Sequence, residues 1–112
     1  MSATTATTAI DARILAEEAT FMARNRRSNE LYEQALAVMP GGVTSSWSST
    51  RPFPVWISHG AGSHVWDVDG NEYVDTHAGY GVNVVGHANP AVVDAVQRRV
   101  TMGTHFAQPT ED

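Results

Sequence analysis

The chain has 112 residues, 42% of them apolar, and a net charge of −5 from seven basic and twelve acidic residues. That suffices for one small domain with a modest core and is too apolar for a wholly disordered chain. There is no cysteine, which excludes disulfides and thiolate metal sites, and no lysine, all seven basic residues being arginine.

The N-terminus has no basic start followed by an apolar core, so it is not a secretory signal, and Asp11, Glu17 and Glu18 argue against a transit peptide. No apolar run approaches a membrane span, and the cytoplasm is the expected location. Met1 to Ala9 is a Ser/Thr/Ala run expected to fray. Thr8 and Asp11 have capping-box-like spacing, with Asp in place of Glu or Gln. Ile14, Leu15, Phe21 and Met22 form a helical stripe interrupted by Glu18, which predicts a helix over 10–25. Arg24, Arg26 and Arg27 cluster at its end, where cations suit the helix dipole. No larger basic cluster occurs, which argues against nucleic-acid binding.

Ser28 is placed to cap a second helix with an apolar face of Leu31, Tyr32, Ala35, Leu36 and Met39, stopped by Pro40-Gly41-Gly42. Thr44 to Thr50 is a polar loop in which Trp47 either plugs the structure or lines a pocket. Pro52 and Pro54 bracket the entry to a strand at Val55–Ile57, and Gly60 and Gly62 turn the chain back. Strands follow at 64–67 and 72–74, joined by Asp69-Gly70, which supplies the positive φ angles of a tight hairpin turn. The three strands form an antiparallel meander. Gly79-Tyr80-Gly81 lets the backbone bend and put a ring into a cavity. Asn89-Pro90 starts the last helix, with Val92, Val93, Val96 and Val100 as its buried face and Gly103 as its stop.

Two apparent metal patterns fail. Asp67, Asp69, Asn71 and Glu72 imitate a calcium loop, but with Gly70 at the sixth position the first is Val65 and the twelfth Thr76. These acids are turn residues. His59, His64, His77, His87 and His105 include no helical i, i+4 pair, so no metal site is expected. His87, before the helix start, is expected to make a structural hydrogen bond. Gly79-Tyr80-Gly81 lacks the spacing of a dinucleotide fingerprint.

PGGV at 40–43, WDVDGNEYVD at 66–75 and GHANPAVVDAV at 86–96 occur in order. Together they resemble the N-terminal part of the class III aminotransferases, pyridoxal-phosphate enzymes of fold type I. Within that class the chain is most similar to the glutamate-1-semialdehyde 2,1-aminomutases, over about Ser28 to Glu111. The resemblance implies an α+β architecture, part of the small domain of a fold type I transferase. Residues 1–27 would be an N-terminal extension with one helix, and 28–112 the N-terminal part of the enzyme, ending before the cofactor domain.

The resemblance also assigns residues. Tyr80 stands where the aminomutases usually carry a tryptophan bordering the substrate pocket. Ser45 matches a serine near the substrate carboxylate. Ser48 stands where an arginine would be, and Arg51, three residues on, is the second candidate for that role. An arginine fork is the natural carboxylate partner, so its replacement weakens the likeness to the aminomutases and leaves that to the aminotransferases intact. The implied cofactor is pyridoxal 5'-phosphate, with no residue here assigned to hold it. Such enzymes bind it through a lysine, which this chain lacks, so the chain alone is expected to be an inactive fragment of a several-fold longer homodimeric enzyme. That parent would act on an amino acid or amine, with this segment covering one side of the substrate cavity and contributing to the dimer contact. The rival expectation is a free-standing, non-enzymatic module that folds and binds a partner.

Overall fold

A computed structural model describes residues 3–111. Helix α1 spans Ala3–Arg24 and α2 spans Arg26–Leu36. Single 3-10 turns follow at Pro40–Gly42 and Ser46–Ser48. Strands β1 (Ile57–Ala61), β2 (His64–Asp67) and β3 (Glu72–Val74) form an antiparallel sheet in the order β1-β2-β3. A one-turn element at Ala78–Gly81 and a C-terminal helix at Pro90–Val100 complete an α+β chain. The chain divides into two compact units: Met1–His59 with Trp66–Glu72, and Gly60–Val65 with Tyr73–Asp112.

In the first unit α1 starts earlier than the stripe suggests. The alanines at 3, 6 and 9 are strong helix formers and carry it back through the Ser/Thr/Ala run. Thr8 and Asp11 therefore lie inside the helix and do not cap it, while Met1 and Ser2 lie outside the described residues. The break between α1 and α2 is at Asn25, whose backbone and side-chain N–H groups both donate to the Phe21 carbonyl. Only Arg24 sits in the last turn of α1. Arg26 and Arg27 open α2, at the end where cations are disfavoured.

The cap of α2 comes from the hairpin. Asp69 accepts from the Arg27 backbone N–H through Oδ1 at 2.7 Å and from the Ser28 N–H through Oδ2 at 3.0 Å. Ser28 is thus not the cap. It lies within α2, 0% exposed, and its hydroxyl accepts from the Trp56 N–H. That bond explains the late start of β1, at Ile57 instead of Val55: Trp56 directs its N–H to α2 and its carbonyl to the Val68 N–H.

Phe53 is buried between Phe21 and Tyr32, with ring centroids 5.1 and 6.3 Å away. An aromatic buried this way contributes about 1.5–3 kcal/mol. α2 stops at Leu36, leaving Met39 beyond its end. The chain then turns through Gly42 at φ 66°, where a Cβ would meet the Tyr32 ring at 2.6 Å.

The β2–β3 hairpin has one residue at positive φ, Gly70 at 84°; Asp69 is not left-handed. Gly70 N–H donates to the Asp67 carbonyl, and Asp67 N–H donates to that of Asn71. This is a three-residue loop with glycine at its left-handed position, so of the Asp69-Gly70 pair only Gly70 takes the positive φ expected. Asp67 is 2% exposed and fastens the loop. Its Oδ1 accepts from the Asp69 and Asn71 N–H groups, and its Oδ2 from Asn71 Nδ2.

In the second unit Gly60 belongs to β1, and Gly62, at φ 57°, makes the turn. Asn89 caps the C-terminal helix, its Oδ1 accepting from the Ala91 N–H, with Pro90 at the first position. Val92, Val93, Val96 and Val100 are each at least 39% exposed, so the expected buried face is uncovered. No described helix is long and apolar enough to cross a membrane.

Candidate functional site

Ser45 and Ser48 share one turn of the first unit. The Ser45 hydroxyl accepts from the Trp47 N–H at 3.4 Å and its carbonyl from the Ser48 N–H at 2.9 Å. Ser48 lines a cavity of about 180 Å³ with Met39, Val43, Thr44, Val55 and Trp56. Its walls are largely apolar, and among the described residues no charged side chain lines it. Ser45 opens instead onto a depression beside Pro40 and Gly41. Arg51 lines neither. Trp47 is 80% exposed and plugs nothing.

Tyr80 belongs to the second unit, on an unusual piece of backbone. Ala78 to Gly81 wind one turn of left-handed helix, with φ of 48°, 58°, 65° and 80°. Glycine takes this conformation freely, but Ala78 and Tyr80 each incur about 1–2 kcal/mol. Runs of this kind persist only where their surroundings over-determine them. Here the surroundings are polar. Asp75 Oδ1 accepts from the His77 and Ala78 N–H groups, both at 2.9 Å. His77 Nδ1 accepts from the Tyr80 N–H at 3.1 Å, and its ring meets the Tyr80 ring edge-on at 4.3 Å. Tyr80 is 66% exposed.

The other oxygen of Asp75 pairs with His87, whose Nε2 lies 2.7 Å from Oδ2. His87 is fixed by its backbone, which exchanges two hydrogen bonds with Gly62. Its ring packs on Gly60, where a Cβ would fall 2.6 Å from the ring. The structural hydrogen bond expected of His87 is present. Its partner, Asp75, ends the WDVDGNEYVD stretch, but nothing in that stretch assigns it this role. The available signal was an aspartate placed to accept from the N–H groups two and three residues on, just before a glycine-flanked aromatic.

The hydrogen bond from His87, then those from Ala78 and His77, hold the Asp75 carboxyl below its ordinary value of 3.8, against the opposing effect of burial. A depressed carboxyl stabilises the fold above its unfolded value and loses that contribution as pH falls through the folded one. Wild type is therefore expected to exceed Asp75→Asn in urea midpoint at pH 6, with the gap narrowing as pH falls below about 4. A gap that stays constant as pH is lowered through the acid range would contradict this.

The profile of the family described as Aminotransferase class-III matches residues 45–111. The glutamate-1-semialdehyde 2,1-aminomutase of Halorubrum lacusprofundi is 49% identical over 88 residues, 78% of this chain and 20% of that protein. The structure of a β-phenylalanine aminotransferase from Variovorax paradoxus superposes with TM-score 0.82 at 32% identity, over 90% of this chain and 24% of that one. A glutamate-1-semialdehyde aminomutase structure from Pseudomonas aeruginosa PAO1 gives TM-score 0.80 at 29% identity, over 91% and 23%. The chain thus spans about a fifth of the length of the curated relatives it matches.

Proposed function

Since the chain belongs to the class III aminotransferases, we propose that it is the substrate-facing N-terminal segment of a pyridoxal-phosphate enzyme that moves an amino group to or from an amino acid or amine. Residues 28–112 are the family segment of a cytoplasmic homodimer, with 1–27 as an extension. Ser45 and Ser48 in the first unit, and Tyr80 in the second, are its substrate-binding residues. The observation that carries this is the family match across 45–111, which contains all three residues.

The family's cofactor supplies an electron sink for the substrate. Its aldehyde is held by a side-chain amine, and this segment has none. The residues here therefore do not fit that role, and no step of the cofactor's chemistry is assigned to them. What they supply is shape and polarity: an uncharged, largely apolar recess at Ser48, and an aromatic ring at Tyr80.

The test uses the complete enzyme, with amino transfer to a keto acid followed by product formation. Tyr80→Ala is expected to lower kcat/KM for the donor about 10-fold or more, with cofactor absorbance and affinity unchanged. An unchanged kcat/KM would remove Tyr80 from the pocket. Absence of any transfer from a panel of amino acids and amines would favour a non-enzymatic module.

A further inference from the structure

We propose that Asp75 and His87 are positioning residues for the substrate-facing aromatic, acting together to hold Tyr80 in its left-handed turn. This rests on the assignment of Tyr80 to the substrate pocket.

Two L-residues in one left-handed turn do not stay there unaided, since the relaxed conformation of each lies elsewhere. The contacts that oppose relaxation converge on Asp75. Oδ1 takes the two N–H groups that begin the turn, those of His77 and Ala78. That arrangement places His77 so that Nδ1 receives the Tyr80 N–H and its ring edge meets the Tyr80 ring. A carboxylate on a single bond rotates unless its other oxygen is held, and His87 holds Oδ2.

His87 is itself held by contacts unrelated to Tyr80. Its backbone is bridged to Gly62 in both directions, and its ring fills the space over Gly60. The order of dependence is therefore strand end, His87, Asp75, turn, Tyr80. Neither Asp75 nor His87 needs to touch substrate for this to matter. A displaced ring changes the shape of the wall that a substrate meets, and small misplacements of positioning groups have large kinetic effects.

The test has two arms. In the 112-residue chain, NMR follows the cross-peaks between the His77 and Tyr80 rings. His87→Ala and Asp75→Ala are each expected to abolish them while leaving the Trp56 and Trp66 indole signals in place. His87→Gln, which keeps a side-chain N–H at similar reach, is expected to retain them. If the alanine variants lose their far-UV helix signal, His87→Gln decides: retained cross-peaks support the proposal, and their loss in a folded protein overturns it. Retained cross-peaks in both folded alanine variants also overturn it.

The second arm is kinetic, in the complete enzyme. Tyr80→Ala and His87→Ala are expected to lower kcat/KM by similar factors, and the double variant by no more than the larger of the two. Losses that multiply would show His87 acting independently of Tyr80 and overturn the proposal. An unchanged kcat/KM for Tyr80→Ala would instead overturn the pocket assignment, and the NMR arm separates that failure from failure of the clamp.

Discussion

Asp67→Ala is expected to lower the stability of the chain by about 3–5 kcal/mol, read as a fall in urea midpoint. The carboxylate is buried and accepts hydrogen bonds from the Asp69 and Asn71 backbones and the Asn71 amide. Bonds to a charged group contribute about 1.5–3 kcal/mol each, and removing the acceptor strands these donors. Their contributions are not additive, which sets the range below their sum. It is still a large share of the roughly 5–15 kcal/mol that holds a domain.

The loss would spread because the same loop caps α2. Asp69 takes the Arg27 and Ser28 N–H groups, and Asn71 reaches the Arg24 carbonyl and Asn25. Asp69→Ala removes only the cap and should cost about 1 kcal/mol. Asp67→Asn should fall between, because its amide N–H₂ would face the Asn71 donor. Equal losses for Asp67→Ala and Asp69→Ala would show that Asp67 is not the centre of the network.

The contrast between these two aspartates marks what was legible in the sequence. β2, β3 and the start of the C-terminal helix fall where the local chemistry puts them. A glycine in a hairpin loop and an Asn-Pro cap act within a few residues, so a sequence window contains the whole cause. The cap of α2 does not, because Asp69 is 42 residues from the N–H it satisfies. Nothing near Ser28 announces that partner, and serine before an apolar stripe is the ordinary signature of a cap. The true start of β1 was hidden by the same long-range bond to Ser28.

The site divides in the same way. A structural role for His87 was legible from its place beside a helix start; the identity of Asp75 as its partner, 12 residues back, was not. Gly79-Tyr80-Gly81 signalled unusual backbone, but two glycines do not reveal that Ala78 and Tyr80 join them in a left-handed turn. That conformation is imposed by Asp75 and His77 against the preference of the residues themselves. The valines of the C-terminal helix repeat at helical spacing, yet periodicity identifies an apolar face without saying what covers it.

Ser48→Arg is expected to convert the recess at Ser48 into a carboxylate site. At present its walls include Met39, Val43, Val55 and Trp56, with Thr44 and Ser48, and Arg51 is not among them. A carboxylate entering such a recess would lose water without gaining a charged partner, which costs several kcal/mol. The wild-type enzyme should therefore favour substrates that present an uncharged, apolar group here and use glutamate 1-semialdehyde poorly. An arginine at 48 offers a planar fork of N–H donors that carboxylates accept in pairs. In the complete enzyme the variant should raise kcat/KM for a carboxylate-bearing substrate by about 1.5–3 kcal/mol in transition-state terms, roughly 10- to 150-fold. It should lower kcat/KM for an apolar amine, because the guanidinium then has no partner in an apolar recess. The sign reversal between the two substrates is the measurement, since a merely damaged enzyme would lose both. Arg51→Ala is the companion variant. If it alone abolishes activity on glutamate 1-semialdehyde, Arg51 is the carboxylate partner, and the specificity inferred from Ser48 is wrong.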